Sequence, residues 1–253
     1  MARLHFKEKG NGLAVILLHG FCETHEVWNL VADRLALNFR TISVDLPGFG
    51  RSILPPPNSI DDAAALVIDF IVEDLDLDQC VVLGHSLGGY VALSMVEKNP
   101  ELFSAVGLIH STAFADSDER KIARGKVIEF VINHGVKPFI ESFIPPLFHD
   151  QMSPHILSTV ALASKTNKQT LIGYTEAMRI RPDRIHVLKG YEKPTLFVAG
   201  RLDTVIPVKA ICDQSSYSRN PSLTVLEGVA HMGMLENEEL TAKVIGQFLS
   251  DLS

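Results

Sequence analysis

The chain has 253 residues, of which 46% are hydrophobic and 21% are charged, and its formal net charge is −7 at pH 7. This globular composition, with an acidic balance and no basic run, argues against nucleic acid and anionic membranes as partners. No apolar run reaches the ~20 residues of a membrane span, and the first residues show no signal-peptide pattern. The three cysteines lack metal-ligand spacing. We therefore expect a cytoplasmic protein.

Strand-like and helix-like segments alternate through the first 113 residues. Period-two alternation predicts a first strand over Arg3–Glu8, and continuous apolar runs predict buried strands within 13–20, 40–48, 79–86 and 104–112. Apolar residues at helical spacing predict helices over 26–36, 59–77 and 88–100, the second of them with Ser59 as its N-cap. This alternation predicts an α/β fold with a mostly parallel, doubly wound sheet and helices on both faces.

The pattern changes after Ala113. No strand-like run follows until about residue 190, and the helix candidates there are 118–135, 137–144, 155–165 and 169–179, with the proline-bounded 144–150 as a corner. Strand signals resume over Pro194–Asp203 and Ser222–Met232, and an amphipathic helix over 237–252 closes the chain. The sequence therefore predicts an α/β core of residues 1–113 and 191–253, with an all-helical cap over 114–190.

Three reactive side chains follow predicted strands. Ser86 stands between Gly84 and Gly88 in "GHSLGG", directly after an apolar run, while Asp203 and His231 follow the last two strand signals. A serine hydroxyl is a weak nucleophile that needs a base, and the base needs an orienting group. Ligands of an open parallel sheet gather at the carboxyl ends of its strands, so these three side chains are expected to meet. The chain order Ser, Asp, His is that of a nucleophile-elbow hydrolase.

The chain resembles the α/β-hydrolase superfamily, in the branch with a helical cap. The matching segments are "LLHGF" (17–21), "DLPGFGRS" (45–52), "GHSLGG" (84–89), "AGRLDTVIP" (199–207) and "GVAHMGMLE" (228–236). The resemblance implies Ser86 as nucleophile, Asp203 as acid and His231 as base. It also implies an oxyanion hole formed by the backbone N–H groups of Phe21 and Leu87. Such a mechanism needs no metal and no organic cofactor.

Several other polar residues have supporting interpretations. His85 is adjacent to the nucleophile and is expected to support the elbow, and His19 is expected to shape the oxyanion loop through hydrogen bonds. Asp45 is expected to stabilise its turn rather than to act as a second acid. Arginines near the end of the cap are interpreted as a solvated face rather than as a clamp for a substrate carboxylate: Arg179, Arg181 and Arg184.

The substrate pocket is expected to lie under the cap. Cys22, close to the oxyanion loop, and the cap residues Phe143 and Phe148 are candidate lining residues. His110 follows a strand and either lines this pocket or packs beneath it. The cap should bound a mainly apolar acyl pocket, which favours short or medium acyl chains.

The motifs also narrow the reaction. A serine at position 86 excludes the dehalogenases and epoxide hydrolases of the superfamily, which have aspartate there. Tyr90 argues against the lyase of menaquinone synthesis, and Leu87 argues against prolyl aminopeptidases. Met232 counts against hydrolases that cleave carbon–carbon bonds in dienoic acids, which stay an alternative. The prediction is hydrolysis of small-molecule carboxylic esters, with thioesters and lactones as chemical neighbours. A ligand receptor of the same superfamily, with slow or no turnover, is the other alternative.

Overall fold

The computed structural model describes residues 4–252, and its seven strands form one sheet. The strands are β1 (Phe6–Lys9), β2 (Ala14–Leu18), β3 (Arg40–Val44), β4 (Cys80–His85), β5 (Phe103–Ile109), β6 (Thr195–Gly200) and β7 (Pro221–Leu226). Their order across the sheet is β1-β3-β2-β4-β5-β6-β7, with β1 antiparallel to β3 and every other pair parallel. The predicted strands are all present, although Arg3 lies outside the described residues.

The burial of each strand explains its sequence pattern. All residues of β2, β4 and β6 are buried, because helices cover both faces of the central sheet, and these strands are continuous apolar runs. The two edge strands β1 and β7 keep exposed positions, and those of β1 are the charged residues Lys7 and Glu8. The carboxyl ends of the central parallel strands therefore lie at one edge of a rigid, buried platform.

Six helices belong to the α/β core: α1 (Asn29–Leu35), α2 (Ile60–Asp69), α3 (Leu87–Lys98), α9 (Val208–Ser215), α10 (Gly233–Glu236) and α11 (Glu238–Ser250). Helix α2 packs against α3, and α1 packs against α11. Ser59 caps α2 as predicted, because its hydroxyl accepts a hydrogen bond of 3.0 Å from the backbone N–H of Asp62. The predicted helix over 59–77 continues beyond α2 as a π-helical turn, Phe70–Asp74.

The insertion between β5 and β6 contains five helices and, within the described chain, no strand. They are α4 (Asp118–His134), α5 (Val136–Phe143), α6 (Pro154–Ala163), α7 (Lys168–Ile180) and α8 (Ile185–Gly190). The structure thus has the predicted α/β fold with an all-helical cap. Gly135 separates α4 from α5 with a φ of +88°, a conformation that favours glycine, and the predicted corner holds a short 3₁₀ turn, Pro145–Leu147.

Helices α8, α9 and α10 were not predicted. Each has no more than eight residues, which is too few turns to repeat an apolar face clearly. None of the helices in the described part of the chain combines the length and the apolar character that crossing a membrane requires.

Candidate active site

Ser86 lies on a sharp turn between β4 and α3. Its φ is +49°, a conformation that a residue with a side chain seldom adopts. Two hydrogen bonds hold the turn: the N–H of Ser86 donates to the carbonyl of Ile109 at 3.0 Å, and the hydroxyl of Ser111 donates to the carbonyl of Ser86 at 2.6 Å. The strand before Ser86 and the helix after it fix both ends of the turn, so the hydroxyl is held at the sheet edge.

The glycines of "GHSLGG" are required by close contact between backbones. A Cβ atom on Gly84 would lie 2.2 Å from the carbonyl of Gly88, and a Cβ on Gly88 would lie 2.5 Å from the carbonyl oxygen of Leu18. Real Cβ atoms do not approach backbone atoms that closely. Gly84 and Gly88 therefore relieve crowding at the turn that carries Ser86.

Asp203 and His231 form a buried hydrogen-bonded pair. His231 Nδ1 lies 2.8 Å from Asp203 Oδ2, and Asp203 Oδ1 accepts hydrogen bonds from the N–H groups of Val205 at 2.8 Å and Ile206 at 2.9 Å. Burial alone would raise the pKa of Asp203, but the neighbouring His231 and His110 hold that pKa well below its usual range. The carboxylate is therefore ionised, and it orients the imidazole with Nδ1 protonated and Nε2 free to accept a proton.

Ser86 and His231 line the same cavity. Among the described residues, no hydrogen bond joins the Ser86 hydroxyl to the imidazole of His231. Hydrogen bonds between catalytic groups are often long in ligand-free enzymes and shorten in the substrate complex. The structure thus brings together the three predicted triad residues: Asp203 and His231 form a hydrogen-bonded pair, and Ser86 lines the same cavity as His231.

Two backbone N–H groups near Ser86 have no acceptor in the described protein. They belong to Phe21, in the loop after β2, and to Leu87, the first residue of α3. The positive end of the α3 dipole lies at Leu87, so this N–H group is suited to stabilise negative charge. These are the two donors predicted for the oxyanion hole, and both are free to bind a developing oxyanion.

His19 shapes the oxyanion loop. Its Nδ1 lies 2.8 Å from the carbonyl oxygen of Gly20, and its Nε2 accepts a hydrogen bond of 2.9 Å from the N–H of Leu46. The second contact requires an unprotonated Nε2, and burial lowers the pKa of His19, so the ring is neutral. His19 joins the oxyanion loop to the end of β3 and does not face the reacting atoms.

A buried ion pair connects the oxyanion loop to the loop of His231. Glu23 Oε2 accepts a hydrogen bond of 2.7 Å from the N–H of Gly20 and lies 3.0 Å from His85 Nδ1, while His85 Nε2 lies 3.0 Å from the carbonyl oxygen of His231. Both ring nitrogens of His85 thus face acceptors. Burial opposes both charges, yet Glu23 raises the pKa of His85 and His85 lowers that of Glu23.

His85 is therefore an imidazolium that donates to two loops of the site. Its supporting role was predicted, but its partner Glu23 was not, since 62 residues separate the two in sequence. A second unpredicted support is Glu236, whose Oε2 accepts hydrogen bonds from the N–H groups of Ala230 at 2.9 Å and Met232 at 3.2 Å. These two hydrogen bonds hold the backbone on either side of His231.

The cavity at Ser86 has a volume of about 200 Å³ and mainly apolar walls. Phe143 lines it, as predicted, and stacks on Phe139 with ring centroids 5.1 Å apart. Phe21 contacts the ring of Phe143 from the core side, at 5.8 Å between centroids. The aromatic residues of α5 therefore form a cavity wall that packs against Phe21 of the oxyanion loop.

Two other pocket predictions, Cys22 and Phe148, need correction, and the structure decides between the two positions left open for His110. Cys22 is fully buried and lines a different cavity, between the oxyanion loop and α6; burial raises the pKa of its thiol. Phe148 is buried away from the Ser86 cavity, and Leu147 lines that cavity instead. His110 packs beneath the pocket, with Nδ1 at 3.6 Å from Asp203 Oδ2, and burial lowers its pKa to about 4. The sequence had left both positions open for His110.

Asp45 stabilises its turn, as predicted. Its Oδ1 lies 2.7 Å from the backbone nitrogen of His25 and 2.8 Å from His25 Nδ1, and its Oδ2 accepts a hydrogen bond of 2.9 Å from the N–H of Arg51. His5, His25 and Asp45 offer ligand atoms within 4.8 Å of one another, but these hydrogen bonds already use the Asp45 oxygens. Asp45 does not line the cavity at Ser86.

The Asp45→Asn variant is expected to be less stable at neutral pH by about 2 kcal/mol. Burial would raise the pKa of Asp45, but hydrogen bonds from His25 and from the N–H of Arg51 lower it from 3.8 to about 2, and each pKa unit corresponds to ~1.4 kcal/mol. This stabilisation is present above pH 3.8 and is lost as the pH falls through 2. Urea unfolding should therefore show that the free energies of unfolding of wild type and variant differ less at pH 3 than at pH 7. An equal difference at both pH values would contradict this assignment.

Comparisons with known proteins agree with this geometry. A family model described as the alpha/beta hydrolase family matches residues 15–244. A pimeloyl-[acyl-carrier protein] methyl ester esterase of Yersinia pseudotuberculosis serotype IB is 27% identical over 261 residues, which cover 99% of each protein. A thermophilic esterase from Thermogutta terrifontis, solved with malate bound, has a TM-score of 0.93 and 27% identity, over 98% of this chain and 93% of that one. An enol-lactonase from Burkholderia xenovorans shares the fold at a TM-score of 0.88 with 17% identity, over 98% and 96%.

Proposed function

Since this chain belongs to the alpha/beta hydrolase family, we propose that it hydrolyses carboxylic esters of short to medium acyl chain through an acyl-enzyme on Ser86. The observation that carries the proposal is the hydrogen bond of 2.8 Å between Asp203 and His231, in a cavity that both His231 and Ser86 line. The chain is an ester hydrolase with a helical cap. We assign the cap to residues 114–190, and we place the enzyme in the cytoplasm with a small-molecule substrate.

The reaction begins at the Ser86 hydroxyl. His231 Nε2 takes the hydroxyl proton while Ser86 Oγ attacks the acyl carbon, and Asp203 stabilises the imidazolium that forms. The N–H groups of Phe21 and Leu87 bind the oxyanion of the tetrahedral intermediate. The alcohol then leaves with the proton from His231, and water attacks the acyl-enzyme by the same route. Thioesters and lactones fit the same chemistry, because both present an acyl carbon to Ser86.

A ligand receptor without turnover is the second candidate, because a triad alone does not separate the two classes. The two free N–H groups near Ser86 favour the enzyme, since they are needed for an oxyanion and not for simple binding. Incubation with p-nitrophenyl acetate and butyrate distinguishes the two candidates. Rapid, saturable release over many turnovers supports the hydrolase, whereas release of one equivalent or less would contradict it and favour the receptor.

Hydrolysis is expected to reach an optimum at a short or medium acyl chain. Each methylene buried against the cavity wall contributes up to ~0.8 kcal/mol, until the chain meets the wall and further length is penalised. Phe143→Ala should move the optimum to longer chains, because the ring of Phe143 lines the cavity. The measurement is kcat/KM for a series of p-nitrophenyl esters of graded acyl length.

Phe148→Ala is the matched control for Phe143→Ala. Phe148 is buried but does not line this cavity. Its replacement by alanine should therefore lower the melting temperature and leave the optimal acyl-chain length unchanged. An unchanged optimum in Phe143→Ala, or a flat profile in the wild type, would mean that the cap does not bound the acyl pocket.

A further inference from the structure

Two arginines of the cap line the same cavity as Ser86 and His231. Arg120 and Arg124 lie one turn apart on α4, so both face the same side of that helix. The rest of the cavity wall is mainly apolar. Two cations therefore line a mainly apolar cavity that Ser86 also lines.

The charges around these arginines are not balanced. Asp116, a buried carboxylate, lies 2.8 Å from a terminal nitrogen of Arg181, is paired with Arg124, and is 4.0 Å from Arg120 Nε. Three guanidinium groups therefore surround one carboxylate. Asp116 does not line the cavity, and the carboxylate that does, Glu23, is already paired with His85. The cap side of the cavity consequently has an excess of positive charge.

Arg181 has a structural role within this group. It is buried, lies over the Tyr90 ring at 4.0 Å, and donates hydrogen bonds to the carbonyls of Met178 at 2.8 Å and Phe114 at 3.0 Å. The interpretation of the cap arginines as a solvated face is therefore wrong for Arg181 and for Arg184, which is buried against Asp61 and Glu97. Neither one lines the cavity.

Arg120 and Arg124 keep donors without a partner. Arg124 uses its Nε for Asp116, and among the described residues neither of its terminal nitrogens has an acceptor, although the side chain is only 18% exposed. Arg120 donates to the carbonyl of Val205 at 3.1 Å through one terminal nitrogen, and the other has no acceptor there. Half-buried charged donors are costly to leave unpaired, and a guanidinium matches a carboxylate in geometry.

We propose that Arg120 and Arg124 bind a carboxylate of the substrate, so that the enzyme acts on the half-ester of a short dicarboxylic acid. This inference rests on the proposed function, because it places the ester carbonyl at Ser86. The free carboxylate lies at the other end of the acyl chain, against the arginines. A cavity of about 200 Å³ is smaller than most ligand sites, which favours a chain of few carbons.

The test compares monomethyl with dimethyl esters of succinate, glutarate and adipate, by methanol release at pH 7.5. The half-ester carries one negative charge and the diester carries none, although the two molecules have nearly the same length. We expect the wild type to prefer a half-ester. Arg120→Gln should lower the ratio of kcat/KM for half-ester over diester by roughly 10- to 100-fold, mainly through KM. Arg120→Lys should restore part of the ratio, and added KCl should raise KM for the half-ester alone.

Arg120 is the better position for substitution, because it is 4.0 Å from Asp116 while Arg124 holds that carboxylate directly. Arg179→Gln is the control: this cap arginine pairs with Glu176 and does not line the cavity, so the ratio should not change. A wild type that hydrolyses p-nitrophenyl butyrate yet prefers the diester would overturn the inference alone. An unchanged ratio in Arg120→Gln would do the same. Failure to hydrolyse any of these esters would overturn the proposed function as well.

Discussion

Ser86→Ala is expected to lose ester hydrolysis by several orders of magnitude and to keep its fold and its affinity for the substrate. The hydroxyl is the attacking group, whereas the cavity walls and the two free N–H groups do not depend on it. Residual activity over the uncatalysed reaction should come from those N–H groups and from substrate binding. The measurements are kcat on p-nitrophenyl butyrate, the melting temperature, and the affinity for a slowly hydrolysed ester.

Ser111→Ala is the matched control for this variant. The Ser111 hydroxyl donates to the carbonyl of Ser86, so its removal loosens the turn without removing the nucleophile. The control should lose stability by about 1 kcal/mol, the typical net contribution of one hydrogen bond, and should keep most of its activity. If Ser86→Ala retained most of the wild-type turnover, Ser86 would not be the nucleophile.

Asp203→Asn is expected to lower turnover by roughly 10⁴-fold, as in other serine hydrolases with this substitution. Asp203 Oδ1 accepts hydrogen bonds from two backbone N–H groups. The side-chain oxygen of an asparagine is therefore expected to take the position of Oδ1, which leaves the NH₂ group facing His231. An NH₂ group cannot accept from Nδ1–H, so the imidazole then adopts the tautomer with Nε2 protonated. That tautomer cannot take the proton from Ser86. The measurements are kcat and the ¹⁵N chemical shifts of His231.

Asp45→Asn is the control for the choice of carboxylate. Asp45 is also buried and paired with a histidine, but it does not line the cavity, so this variant should lose stability and little turnover. If Asp45→Asn reduced turnover more than Asp203→Asn, with both proteins folded, Asp203 would be the wrong carboxylate.

The sequence predicted the positions that depend on local patterns. Ser86, Asp203 and His231 each follow a strand whose apolar run is visible in the sequence, and parallel strands bring their carboxyl ends to one edge. The glycines on either side of Ser86 likewise indicate, from the local sequence alone, that backbone segments come close together at this turn. Fold class and candidate triad could therefore be predicted before the structure, whereas the oxyanion donors Phe21 and Leu87 were predicted from the family resemblance.

The rest of the site depends on how distant segments pack. The pairing of Glu23 with His85 joins two loops, and no spacing in the sequence predicts it. Likewise, whether Phe143 or Phe148 faces Ser86 depends on the orientation of a proline-bounded turn. No sequence pattern singled out Arg120, because only the position of α4 brings it to the cavity.

The central claim is that His231 activates Ser86 as a nucleophile, and covalent labelling with a fluorophosphonate tests it most directly. Intact-mass measurement should show one adduct per chain, and peptide mapping should place it on Ser86. Labelling should be much slower in His231→Ala, because the hydroxyl then has no base to take its proton. An adduct on another residue, or equally fast labelling of Ser86 without His231, would contradict the claim.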